Sequence, residues 1–164
     1  MRQAGCLSVL LAFFLVVFGF VGCADGRQSH LPGGGDGATG EEEAEEGGMD
    51  ILLTIGGQTF QAVLEDSETG RAFGALLPLT LEMRELNGNE KYHYLGEALP
   101  VQAERVGRIE AGDLMLYGTE CVVLFYESFS TSYSYTRIGR IGNAAQLASA
   151  VGSGSVTVAF SANG

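Results

Sequence analysis

The chain has 164 residues, 46% of them hydrophobic, and its 9 Lys and Arg face 20 Asp and Glu for a formal net charge of -11. That length suits one domain, and three cysteines are too few for a disulfide framework. Phosphate affinity is built from Lys and Arg, so this acidic excess excludes a nucleic-acid binder.

Arg2 gives the chain a positive start, and Leu7 to Phe20 is an apolar run interrupted only by Ser8 and Gly19. That is the layout of a secretory leader, shorter than the roughly 18–20 apolar residues a spanning helix needs. The run ends in Phe20-Val21-Gly22-Cys23, which resembles the bacterial lipobox, although Phe20 stands where leucine is commonest. The resemblance implies a lipoprotein signal peptide over residues 1–22 and a lipid, diacylglyceryl and acyl chains of the palmitate kind, on Cys23. Each buried CH₂ adds about 0.8 kcal/mol of membrane affinity, so two or three chains anchor firmly. The implied location is the cell membrane or outer membrane, facing outside the cytoplasm. An uncleaved N-terminal helix and free secretion are the alternatives, and all three export the rest of the chain.

Residues 23–48 read as a flexible tether. Beyond Cys23 they hold Gly33-Gly34-Gly35, a glutamate run from Glu41 to Glu46, and one Arg against seven acidic residues. Such a segment has too little apolar surface to offset its ordering entropy. The glutamates read as a solvated spacer, with a cation-binding or docking patch as the functional alternative.

The folded unit is expected over residues 49–164. Ile51 to Ile55 and Phe60 to Leu64 flank Gly56-Gly57, a hairpin signal. Asp66 or Ser67 is placed to cap a short helix bearing Ala72, Phe73, Leu76 and Leu77, which Pro78 would end. Leu79, Leu81 and Met83 alternate with polar residues as a half-buried strand, and Asn87-Gly88-Asn89 is a turn before Tyr92-His93-Tyr94-Leu95. After a looser stretch, Leu114 to Tyr117 and Cys121 to Tyr126 flank Gly118-Thr119-Glu120. The second of these is apolar throughout, which predicts cover on both faces. Ser130 to Ile141 reads as one long strand bent at Gly139. Asn143 would cap a second helix carrying Leu147, Ala148 and Val151 and closed by Gly152, and Val156, Val158 and Phe160 supply a last strand.

Seven or eight strands in so short a stretch favour closure into a barrel, which removes exposed edges. The expectation is a mainly β fold, a small closed barrel of about eight strands whose open ends are plugged by the two helices. An open α+β sheet is the alternative.

Five blocks then carry a resemblance: Gly70 to Phe73, Leu77 to Leu81, Leu86 to Tyr92, Ala111 to Gly118, and Phe129 to Ile141. Together they resemble the bacterial cyclophilin-like-fold family across essentially all of residues 50–161. The resemblance implies a small closed barrel with two capping helices, in agreement with the strand count. Prolyl isomerisation does not come with it. True cyclophilins carry a Phe-His-Arg run and a Phe-Met-x-x-Gly-Gly-Asp-like run, and neither is present here. A fold does not transfer a function.

Other chemistry is sparsely supported. Nucleophilic hydrolysis needs a Ser or Cys beside a base, and the histidines are His30 in the tether and His93. His93 faces away from Tyr92 and Tyr94 by strand alternation and reads as a surface or hydrogen-bonded residue. Cys121 reads as a small core residue. No catalytic residue, metal site or cofactor is assigned, because no paired Cys or His spacing exists.

The strongest candidate is the segment from Phe129 to Arg140. Period two puts Phe129, Tyr133, Tyr135 and Arg137 on one face, where rings can stack on a ligand and the guanidinium can pair with a carboxylate. Arg84, beside Met83, is the further candidate. The competing reading has these tyrosines filling the barrel or its seam. The resulting functional expectation is a membrane-tethered binding module for a peptide or small molecule. A prolyl isomerase or folding helper, and a structural envelope protein without a pocket, are the alternatives.

Overall fold

The computed structural model describes residues 47–164; the leader, Cys23 and most of the tether lie outside the described residues. Strands β1 (Met49–Ile55) and β2 (Gln58–Leu64) form the expected hairpin. Its two turn residues, Gly56 and Gly57, take φ of 56° and 79°, a region that side-chain-bearing residues enter only at a cost. Alternation puts Ile51, Leu53, Ile55, Phe60, Ala62 and Leu64 on one buried face.

Helix α1 (Glu68–Gly74) starts at Ser67, whose hydroxyl accepts from the Gly70 N–H at 3.0 Å. It stops at Gly74, earlier than the sequence suggested. Leu76 and Leu77 lie beyond it in a turn that still packs on the core, and Pro78 follows rather than terminates the helix. Next come β3 (Leu79–Leu86), β4 (Glu90–Tyr94), β5 (Glu104–Arg105), β6 (Arg108–Ile109), β7 (Asp113–Tyr117), β8 (Cys121–Phe125) and β9 (Phe129–Ser130). The chain ends with β10 (Ser134–Ile141), α2 (Leu147–Val151) and β11 (Val156–Ala162).

The single long strand expected from Ser130 to Ile141 is broken. Ser130 belongs to β9, which pairs with β6, while β10 begins at Ser134. Asn143 does not cap α2 either. Its side chain accepts from the Ala145 N–H at 3.1 Å in the turn before, and α2 begins after Gln146 without a side-chain cap. Gly152 closes α2 as expected, at φ 60°.

Eight antiparallel strands close the barrel in the order β2-β1-β11-β3-β4-β8-β7-β10, with β10 returning to β2. The open-sheet alternative is therefore set aside. Closure runs through Gly139, which pairs with Leu64 of β2; a Cβ there would meet the Val63 carbonyl at 2.5 Å. Just before it the register against β7 shifts, so that Ile138 is the extra residue and points into the core. The bend read from the sequence at Gly139 is this bulge.

The barrel interior holds Leu53, Leu81, Met83, Leu116, Val122, Leu124, Val158 and Phe160, each worth about 1.5–3 kcal/mol when fully buried if large. Phe73 of α1 meets Phe160 edge-on with ring centroids 5.4 Å apart, and Leu147 and Val151 of α2 join the same core. The helices sit by opposite ends of β1: Gly74 of α1 lies against Met49, and Ala150 of α2 against Gly56. A second, smaller core lies outside the barrel wall. It contains Ile109, Met115, Cys121, Val123, Phe125 and Tyr135, covered by Phe129 and Val106. Strand β8 is thus buried on both faces, as its unbroken apolar run predicts. Among the described residues no helix is long and apolar enough to cross a membrane.

Candidate functional site

The outer face of the wall formed by β4, β8, β7 and β10 carries a cleft of about 310 Å³. Strand alternation decides which side chains reach it. On β4, Glu90, Tyr92 and Tyr94 face outward while Lys91 and His93 face the other way. The register then sets Tyr92 beside Val123 and Tyr94 beside Cys121 on β8, with Tyr117 of β7 on the far side of Cys121. Tyr135 from β10 and Tyr133 just before it complete the wall. Five of the six tyrosines in the chain therefore line one cleft.

Their rings pack against one another at steep angles. Tyr92 and Tyr94 are edge-to-face at 6.0 Å, Tyr117 and Tyr133 at 6.2 Å, and Tyr135 lies 5.6 Å from Tyr117. Such pairings fix the orientation of each ring. Tyr94 and Tyr133 keep 61% and 62% of their surface exposed, so the mouth is wet, whereas Tyr135, Val123 and Cys121 form a buried floor. Burial pushes the Tyr135 hydroxyl up to about 12, helped by the negative charge of Glu90. The Cys121 thiol is also raised by burial, with Glu90 adding to the effect and Tyr94 opposing it.

Glu90 is the one charged residue lining the cleft, and it is only 9% exposed. No hydrogen bond or ion pair engages its carboxylate among the described residues. Burial, and then the nearby charge of Glu85, hold it above the ordinary glutamate range.

The candidates drawn from the sequence are distributed unevenly. Tyr133 and Tyr135 line the cleft. Arg84 sits at its border, with its guanidinium carbon 6.0 Å from the Tyr92 ring centroid. Phe129 does not line the cleft; it covers the outer core, packed on Phe125 at 5.7 Å. Arg137 lines a different hollow with Ser67, Gln102 and Thr136, where its Nε donates to Glu104 at 3.4 Å. The expected row of aromatics ending in an arginine therefore breaks into three places. The tyrosines do not fill the barrel, and Met83 beside Arg84 points into the interior. His93 is held by its Nδ1 at 2.9 Å from the Glu82 carbonyl oxygen. Glu90, Tyr92, Tyr94 and Tyr117 were missed as site residues. The Glu-x-Tyr-x-Tyr alternation of β4 was the local signal, but its meeting with β7, β8 and β10 depends on barrel closure.

A closed eight-stranded antiparallel barrel with two short helices is the architecture of a cyclophilin-like barrel. Residues 53–161 match the Cyclophilin-like family, and the chain belongs to it. Two solved structures of the same fold are similar to it. One is the solution structure of the hypothetical protein AF2241 from Archaeoglobus fulgidus, at 20% identity and a TM-score of 0.52, covering 73% of this chain and 98% of that one. The other is McbB in complex with tryptophan, at 15% identity and a TM-score of 0.51, covering 71% of this chain but only 45% of that one. At these identities the likeness is one of fold. No curated protein matches the chain.

Proposed function

We propose that this protein is an extracytoplasmic binding module, tethered by a lipid on Cys23, whose tyrosine-lined cleft takes a small molecule or a peptide side chain. The observation that carries the reading is the convergence of five tyrosines from three segments of the chain on one partly open cleft with a buried floor. A concave surface that mixes aromatic rings with convergent polar groups suits a small ligand. The prolyl-isomerase alternative lacks an arginine in the cleft, since Arg84 lies at the border and Arg137 is paired elsewhere.

The chain contains no tryptophan, so its intrinsic fluorescence comes from tyrosine and reports chiefly on this cleft. A ligand library scored by tyrosine fluorescence and by thermal shift should yield saturable binders that also raise the unfolding temperature. Binding insensitive to Tyr117→Ala and Tyr133→Ala would place the ligand elsewhere and defeat the reading. Tethering is tested separately. Radiolabelled palmitate should enter the wild-type chain in the membrane fraction and fail to enter Cys23→Ser, and equal labelling of both would refute it.

A further inference from the structure

The cleft pairs five tyrosine rings with one largely buried carboxylate that has no ion-pair partner among the described residues, and this combination is selective. Holding a carboxylate at 9% exposure without an opposite charge is costly, and Glu90 faces the cleft rather than any basic partner. The neighbouring basic groups do not serve it. Lys91 is next in sequence but lies on the opposite face of β4, with its three N–H donors already committed to Glu85 and to the carbonyls of Gly152 and Gly154. Arg84 rests against Tyr92 and forms no ion pair among the described residues. No Lys or Arg lines the cleft, so an anionic ligand would meet Glu90 with nothing to offset the repulsion. A neutral ligand could at most hydrogen-bond the carboxylate while burying it further, with no opposite charge to offset the cost. A cation satisfies both parts at once, because tyrosine faces attract positive charge and Glu90 supplies the counter-ion. The formal net charge of -11 draws the same kind of ligand.

We infer that the cleft recognises an organic cation, an ammonium or guanidinium group, seated against Glu90 and caged by the tyrosine rings. This rests on the cleft being a ligand site and names its chemistry. About 310 Å³ accommodates a small cationic head group or the end of one side chain, so a free amine and a basic peptide side chain are both sources of the same chemistry.

The test titrates the full chain with choline, with acetyl-arginine methylamide, and with 3,3-dimethylbutan-1-ol, the uncharged isostere of choline. Tyrosine fluorescence and calorimetry are the readouts. Saturable binding of at least one cation, tenfold or more tighter than the isostere, is expected. Choline binding tighter than the arginine derivative points to a free amine as the source, and the reverse order to a peptide. Glu90→Gln should weaken the cation at least tenfold while leaving the weak isostere within twofold. Tyr94→Leu, at an exposed position, should also weaken the cation and keeps the test valid if Glu90→Gln misfolds. Equal binding of choline and its isostere, or cation affinity unchanged in Glu90→Gln, overturns the inference while leaving a cleft that binds neutral ligands. Absence of saturable binding by either cation overturns it too, and only a failure of neutral and anionic probes as well removes the binding-module reading beneath it.

Discussion

Glu90 and Lys91 are adjacent in sequence, both buried and both charged, yet the protein treats them oppositely. Lys91 is fully buried and faces the barrel end beside α2. Its ammonium is paired with Glu85 and donates at 2.7 Å to the carbonyls of both Gly152 and Gly154. Tyr126 lies over it at 5.2 Å and donates its hydroxyl to the same Glu85 carboxylate at 2.9 Å. Every donor is used, and the network ties the β3–β4 hairpin to the loop that follows α2. Glu90, one residue back and on the other face, has no such partner. The difference is one of satisfaction: a buried charge whose bonds are complete ties elements of the fold together, and one without a partner faces the cleft.

The largest effects should come from breaking the satisfied side. Leu124→Ala, the inward neighbour of Lys91 on β8, removes a side chain with no exposure and should cost about 2–5 kcal/mol. Lys91→Met should cost about 3 kcal/mol or more, because Glu85 and two glycine carbonyls then lose their donor. Urea denaturation of both variants measures these losses. A Lys91→Met protein as stable as the wild type would mean that the network contributes nothing net, and the contrast would collapse.

The barrel was legible in the sequence because its signals are local. The apolar runs of β1 and β8, alternation in β2, β3 and β11, and the Gly56-Gly57 and Asn87-Gly88 turns each declare an element without reference to the others. Elements settled by tertiary context were harder to read. The break between β9 and β10 reflects pairing of Phe129 with Ile109, and α1 stops at Gly74 although Leu76 and Leu77 continue its apolar pattern. The site was legible only in part for the same reason. Tyr133 and Tyr135 stood out as a cluster in sequence, but Tyr92, Tyr94 and Tyr117 join them only through the order β4-β8-β7-β10. Arg137 matched the expected periodicity and was still diverted, because Glu104 on β5 crosses in register with Tyr135 and captures it.

Smaller effects should come from the open side, and with the opposite sign. Burial raises the Glu90 carboxyl, so its charged form destabilises the fold at neutral pH. The folded protein holds that proton more tightly than the unfolded chain, and the penalty fades as pH falls below the folded value. Glu90→Gln should therefore be slightly more stable than wild type at neutral pH, with the advantage shrinking toward acid. Glu85 works in reverse. Burial opposes it, but the bonds from Lys91, Tyr126 and the Gly88 N–H together hold its carboxyl below the usual range. Its contribution is present above the unfolded value and is lost as pH falls through the folded one. Stability of wild type, Glu90→Gln and Glu85→Gln against pH should give profiles that diverge in opposite directions. Parallel profiles would show that the two glutamates are not in contrasting environments.

The smallest effect is expected at Arg137. Its Nε lies 3.4 Å from Glu104, and the two side chains are 41% and 62% exposed. Water screens such a pair and long side chains lose entropy to hold it, so Arg137→Ala should cost about 0–1 kcal/mol. It should also leave ligand binding in the tyrosine cleft unchanged, since Arg137 lines the hollow with Thr136 and Gln102 instead. That second outcome matters more than the first. If Arg137→Ala reduced cleft affinity as strongly as a tyrosine substitution, the ligand would have to reach past Tyr135 to the Glu104 side of β10. A ligand that long would carry an anionic group for the guanidinium as well as a cation for Glu90, which describes a zwitterion or a peptide rather than a simple amine.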